Sequence, residues 1–138
     1  MNVRLLSLSL LAATGLAGCG SSEPPAPPAA PPTEVAAVKT PPPQYPMELA
    51  CTGVGGTSTF KVTIGTDGRP SEVLLLTGAG NAQLDDLART AVQAWEFKAA
   101  TRNGQAVPAT IQVPVSFNPP QPKPDQCFAI EERMRRGG

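Results

Sequence analysis

Between Thr57 and Ile64 the chain alternates, with Phe60, Val62 and Ile64 on one face and Thr59, Lys61 and Thr63 on the other. A period of two belongs to a strand with one buried face. Asp67-Gly68 then supplies a turn, because glycine tolerates the positive φ of a tight hairpin. Glu72 to Thr77 is the returning strand, with Val73 and Leu75 assigned to the core face; Leu74 and Leu76 blur its alternation. From Leu84 the period changes. Leu84, Leu87, Ala88, Ala91, Val92 and Trp95 recur at helical spacing and form one apolar stripe. Asn81 is placed to cap this helix, and Asp85 and Asp86 lie in its first turns, where the helix dipole favours negative charge. Asn103-Gly104 turns the chain again. Thr110 to Phe117 is a third strand, with Ile111, Val113, Val115 and Phe117 toward the core. Pro114 cannot donate to a ladder, which puts this strand at an edge of the sheet, at least around that residue. The expected architecture is α+β: a ββαβ unit with a three-stranded antiparallel sheet and one amphipathic helix packed on one face.

The flanks lack such periodicity. Residues 20–40 are rich in Pro and Ala, a composition that favours extended polyproline II and reads as a linker of about 60 Å at most. Met47 to Ala50 has room for one helical turn before Gly53, Gly55 and Gly56 break it. Residues 119–138 read as a polar, Pro-rich tail that ends in a charged stretch from Glu131 to Arg136. At the N-terminus, Arg4 precedes an apolar run through Leu5, Leu6, Leu8, Leu10 and Leu11, shorter than the about 20 residues a bilayer span needs. The run ends in Leu16-Ala17-Gly18-Cys19, which resembles the bacterial lipobox, where the cysteine thiol takes diacylglycerol. Residues 1–18 are therefore read as a lipoprotein signal peptide and Cys19 as the lipidated residue. A plain signal peptide with an incidental cysteine and a retained transmembrane anchor are the alternatives. The folded domain is placed at 41–118.

Composition narrows the chemistry. Eleven basic and eleven acidic residues balance, so no basic face for nucleic acid is expected. Of the three cysteines, lipidation consumes Cys19 and leaves Cys51 and Cys127 as an even pair in an oxidising compartment. A disulfide between them is expected, within one chain or across a homodimer; two free thiols are the alternative. The chain has no histidine, the commonest metal ligand and general base. Asp85 and Asp86 are neighbours about 100° apart around the helix axis and cannot converge on one atom, so they read as solvated carboxylates. Gly78-Ala79-Gly80 has Gln83 where a dinucleotide-binding turn needs its third glycine. Gly53 to Gly56 lacks the Lys-Ser or Lys-Thr of a phosphate loop and reads as close backbone packing. Trp95 and Phe97 read as core. No enzyme, no metal site and no cofactor is expected.

The ordered set of motifs resembles a known family. Pro42-Pro43-Gln44-Tyr45-Pro46, a Gly-rich break, Phe60-Lys61-Val62-Thr63-Ile64, Asp67-Gly68 and Val73-Leu74-Leu75 are similar to the carboxy-terminal domain of TonB energy transducers. The likeness continues through Leu84-Asp85, Ala91-Val92-Gln93-Ala94-Trp95-Glu96-Phe97 and Gly104-Gln105-Ala106-Val107-Pro108 to Val113-Pro114-Val115-Ser116-Phe117.

The resemblance implies a binding function. In the family, an extended segment of an outer-membrane receptor is captured along the last strand, by strand addition. Here that strand is Thr110, Ile111, Gln112, Val113, Pro114, Val115, Ser116 and Phe117. The expected partners are such receptor segments or those of other envelope proteins, besides the membrane that Cys19 would reach. TonB proper carries a spanning helix with a histidine that couples to motor proteins. Without either, this chain is expected to assist transport rather than to power it. Gly20 after the cysteine resembles the enteric signal for the outer membrane, so a lipid anchor facing the periplasm is expected there in preference to the inner membrane. A scaffold lipoprotein resembling the related TolA domain, with no role in transport, is the other reading. Labelled palmitate should enter the wild-type protein and not Cys19→Ser; equal labelling of both would defeat the lipoprotein assignment.

Overall fold

The computed structural model describes residues 18, 20 and 24–138. In chain order its elements are β1 (Ala36–Lys39), α1 (Met47–Cys51), β2 (Gly56–Ile64), β3 (Pro70–Thr77), α2 (Ala82–Gln93), β4 (Glu96–Lys98), β5 (Ala100–Arg102), β6 (Gln105–Val107), β7 (Ala109–Phe117) and α3 (Gln126–Arg136). The main sheet is antiparallel with strand order β3-β2-β7, and α2 packs on it. The ββαβ expectation describes this centre correctly.

Alternation decides which face is inside. Phe60, Val62 and Ile64 of β2 and Val113, Val115 and Phe117 of β7 are buried, together with Leu84, Ala88 and Val92 of α2. Val73, Leu87, Trp95 and Ile111 pack at the margin of this cluster, and Phe97 lies within it. Two expected core residues sit differently. Leu75 is opposite Phe60, on the core side, yet 37% exposed because β3 is the last strand of the sheet and nothing pairs beyond it among the described residues. Ala91 is only half-buried and lines a surface groove rather than the core.

The local signals act as their chemistry requires. The Asn81 side chain accepts hydrogen bonds from the amides of Gln83 and Leu84, which have no partner inside the helix. The β2–β3 turn closes through Gly68 at φ 78°, and its carbonyl accepts the Phe97 amide at 2.8 Å, fixing β4 to the hairpin. Asn103 and Gly104, at φ 53° and 76°, turn β5 into β6. A Cβ on Gly56 would run into the Ala79 carbonyl, which bears out close backbone packing as the reason for this glycine.

Asp85 corrects the expectation of a solvated carboxylate. It accepts the hydroxyl of fully buried Ser58 at 2.7 Å and the Ala79 amide at 2.8 Å, tying β2 to the entry of α2. Asp86 is the exposed one, paired with Arg89 one turn on.

Both flanks carry more structure than a linker and a tail. Ala36–Lys39, read above as linker, pairs antiparallel with β4, and Thr33 exchanges backbone hydrogen bonds with Thr101. The Trp95 indole N–H also donates to the Pro41 carbonyl at 2.8 Å. All four β1 side chains are exposed, so main-chain bonds hold this strand and no hydrophobic period announces it. Within the expected tail, Gln126–Arg136 forms α3, which packs against α1. Its buried Cys127 and half-buried Ile130 are one turn apart, a pair too short to stand out as a stripe behind the four prolines from Pro119 to Pro124.

Cys51 and Cys127 are bonded within the chain, both fully buried, with Cα atoms 5.2 Å apart and a sequence separation of 76. A cross-link over a loop of this length restricts the unfolded chain and is worth roughly 2–4 kcal/mol. Urea unfolding of the Cys51→Ala/Cys127→Ala protein should show a loss of that order; an unchanged midpoint would mean that the bond adds nothing to the fold.

Candidate functional site

The candidate site is the outer edge of β7. All nine residues of β7 pair with β2 without a register shift, from Gly56 opposite Phe117 to Ile64 opposite Ala109. Among the described residues no strand pairs with its other side. Thr110–Phe117, the strand expected at an edge, is therefore at one.

Pro114 fixes which groups face outward. An antiparallel pair either exchanges both N–H···O bonds or none, and the two kinds alternate along the strand. Pro114 has no N–H, so its pairing with Thr59 in an unbroken ladder must be of the second kind. Its nitrogen then points away from β2. By the same parity, Thr110, Gln112 and Ser116 aim N–H and C=O outward, while Ile111, Val113, Val115 and Phe117 bond to β2. Side chains approach more closely at non-bonded pairs. In agreement, Thr57 and Ser116 share a hydroxyl contact of 2.9 Å, and Thr63 and Thr110 one of 3.3 Å. The outward donors recur about every 7 Å, and the series lacks one member, at Pro114.

The end of β7 is held by the PPQYP segment. The Tyr45 ring meets Phe117 edge-on, with centroids 5.3 Å apart, and its hydroxyl donates to the Val54 carbonyl at 2.7 Å. Burial pushes the Tyr45 phenol above its ordinary value. The neutral donor form is thus favoured in the fold, and its contribution is lost only as pH rises beyond about 10. On the far side, a Cβ on Gly55 would strike the Phe117 carbonyl and the Pro119 ring, so glycine is required there.

A second feature is a mostly apolar groove of about 290 Å³ between Pro41–Gln44 and Leu87, Thr90 and Ala91 of α2 with Ala94 at its C-terminal cap. Cys19 lies outside the described residues. Among the described residues no helix is long and apolar enough to cross a membrane. What the sequence reading missed is the parity of β7: an edge strand was legible from Pro114, whereas the identity of its outward donors needed the register.

These features define a small α+β domain that ends in an open, half-buried strand. Residues 41–119 match the family described as Gram-negative bacterial TonB protein C-terminal, and the chain belongs to that family. It is 34% identical over 77 residues to Protein tonB2 of Pseudomonas aeruginosa, a match that takes in 56% of this chain and 28% of that protein. The solution NMR structure of the Pseudomonas aeruginosa TonB CTD shares the fold, with a TM-score of 0.51, 24% identity, and coverage of 67% of this chain and 91% of that one. β1 and α3, with Cys127, lie outside the matched residues.

The parity makes a direct prediction about proline substitution. Val113→Pro removes a β2–β7 hydrogen bond in the core and should cost on the order of 3 kcal/mol. Gln112→Pro removes only an outward donor and should cost less than about 1 kcal/mol. Thermal or urea unfolding of the two variants compares them, and equal losses would contradict the assigned parity.

Proposed function

We propose that this chain is a lipid-anchored TonB-family protein that captures an extended segment of an outer-membrane receptor, or of another envelope protein, along the outer edge of β7. Its role would be to assist energy-dependent transport without catalysing a reaction. The observation that carries this reading is a strand of nine residues, regular in register, whose outer edge has no partner among the described residues, in a chain that belongs to the TonB C-terminal family. An open edge of that length is a liability in water unless something pairs with it, and a captured strand supplies the missing partner through main-chain bonds.

The anchor reading rests on the lipobox-like Leu16-Ala17-Gly18-Cys19, and Gly20 favours the outer membrane, with the domain facing the periplasm. Because Thr33 and β1 are docked on the domain, at most residues 20–32 are left to act as a tether. At polyproline spacing that is about 40 Å, shorter than a linker reaching Thr40. Such a tether keeps the domain close to the membrane that holds it.

Receptors of the source bacterium, with and without their periplasmic N-terminal segments, provide the test. Wild-type protein should recover the intact receptors at least about tenfold better than the truncated ones, and Gln112→Pro should lose that preference while remaining folded. Equal recovery of both receptor forms, or full retention by Gln112→Pro, would rule out capture at this edge. Retention by a folded Gln112→Pro would favour a scaffold that uses another face.

A further inference from the structure

We infer that Pro114 is a register stop: it bars β7 from pairing with β7 of a second copy and confines an incoming segment to the Ala109–Val113 half of the edge. The second clause rests on the strand-capture reading; the first does not. β7 offers outward carbonyls at Thr110, Gln112, Pro114 and Ser116, but outward N–H groups only at Thr110, Gln112 and Ser116, by the parity set by the unbroken β2 register. In place of the fourth donor stands the proline ring, whose Cδ projects toward any approaching strand. The gap between the donors of Gln112 and Ser116 is about 14 Å, with no outward donor on the three residues between them.

The two sides of that gap are unequal. Toward the C-terminus a single outward donor, Ser116, remains before Phe117, whose neighbourhood is filled by Gly55, Pro119 and the Tyr45 ring. Toward the N-terminus two donors and the matching acceptors lie in sequence, with the Thr110 and Gln112 side chains exposed. A segment pairing there gains a continuous set of bonds and must end or bulge where it meets Pro114.

Self-pairing fails for the same reason. Two copies of β7 brought together antiparallel about their midpoint, Val113, would set each Pro114 opposite Gln112 of the other copy, with both rings in the hydrogen-bonding plane and two donors missing. Pairing shifted off the midpoint leaves at most the short N-terminal halves in register. Exposed edge strands commonly carry proline against such association. Here the residue sits two positions beyond the last useful donor of the longer half, so it blocks the long symmetric pairing and leaves the short asymmetric one open.

Pro114→Ala in the full chain restores the missing donor at an exposed position and tests both clauses. Its melting temperature first establishes that it is folded. By sedimentation velocity it should self-associate at concentrations at least about tenfold lower than wild type. It should also bind a synthetic peptide of a receptor's periplasmic N-terminal segment several-fold more tightly than wild type does. The gain in affinity should disappear when the peptide is cut to the length that spans Ala109–Val113 alone. A folded Pro114→Ala protein with unchanged self-association overturns the stop. Increased self-association with unchanged peptide affinity keeps the stop against self-pairing and contradicts capture at β7.

Discussion

β2 is the strand on which the rest of the domain depends. Among the described residues it is the only member of the main sheet with a neighbour on each side, and it supplies Phe60, Val62 and Ile64, all fully buried, to the core. Its one buried polar side chain, Ser58, is satisfied by Asp85, so the same strand also fixes where α2 begins. Such a group left without a partner would cost roughly 1–3 kcal/mol, which explains why a helix-entry carboxylate turns inward here instead of facing water. Because β2 pairs with β7 without a bulge, it also sets the direction of every amide on β7. The chemistry of the outer edge is therefore decided one strand away from it.

The additions at both ends pair with or pack on other elements than β7. β1 is held to β4 by main-chain bonds, and the Trp95 indole holds Pro41, so the chain enters the domain along a fixed track. α3 is held to α1 by the disulfide and by little else that is buried, since Cys127 is its only buried residue. Both lie outside the residues that match the family, while the strand proposed to bind lies inside them. The matched part holds the fold and the open β7 edge; the added parts brace it.

The centre of the fold was legible because burial there is one-sided. Alternation in β2 and β7 and the helical stripe of α2 each mark a face, and the Asn81 cap and the two Gly-containing turns mark the ends. Leu75 was misplaced because alternation tells which side a residue faces and not whether anything covers that side. β1 was invisible because its pairing uses no side chain, and α3 because prolines precede its short apolar stripe. The candidate edge was legible from Pro114 alone, but its donors were not: the choice between odd and even residues of β7 follows from a register with a distant strand. The cysteine pair came from counting, and the structure adds that it closes within one chain.

The central claim is that extended segments dock on the outward amides of β7. Amide hydrogen exchange, followed residue by residue, tests it most directly. On addition of a synthetic peptide from a receptor's periplasmic N-terminus, exchange at Thr110 and Gln112 should slow at least about tenfold. Val113 and Val115, already bonded to β2, should change little. Unchanged exchange at Thr110 and Gln112, with new protection in α2 beside Pro41–Gln44 instead, would place the partner in the groove and contradict the account.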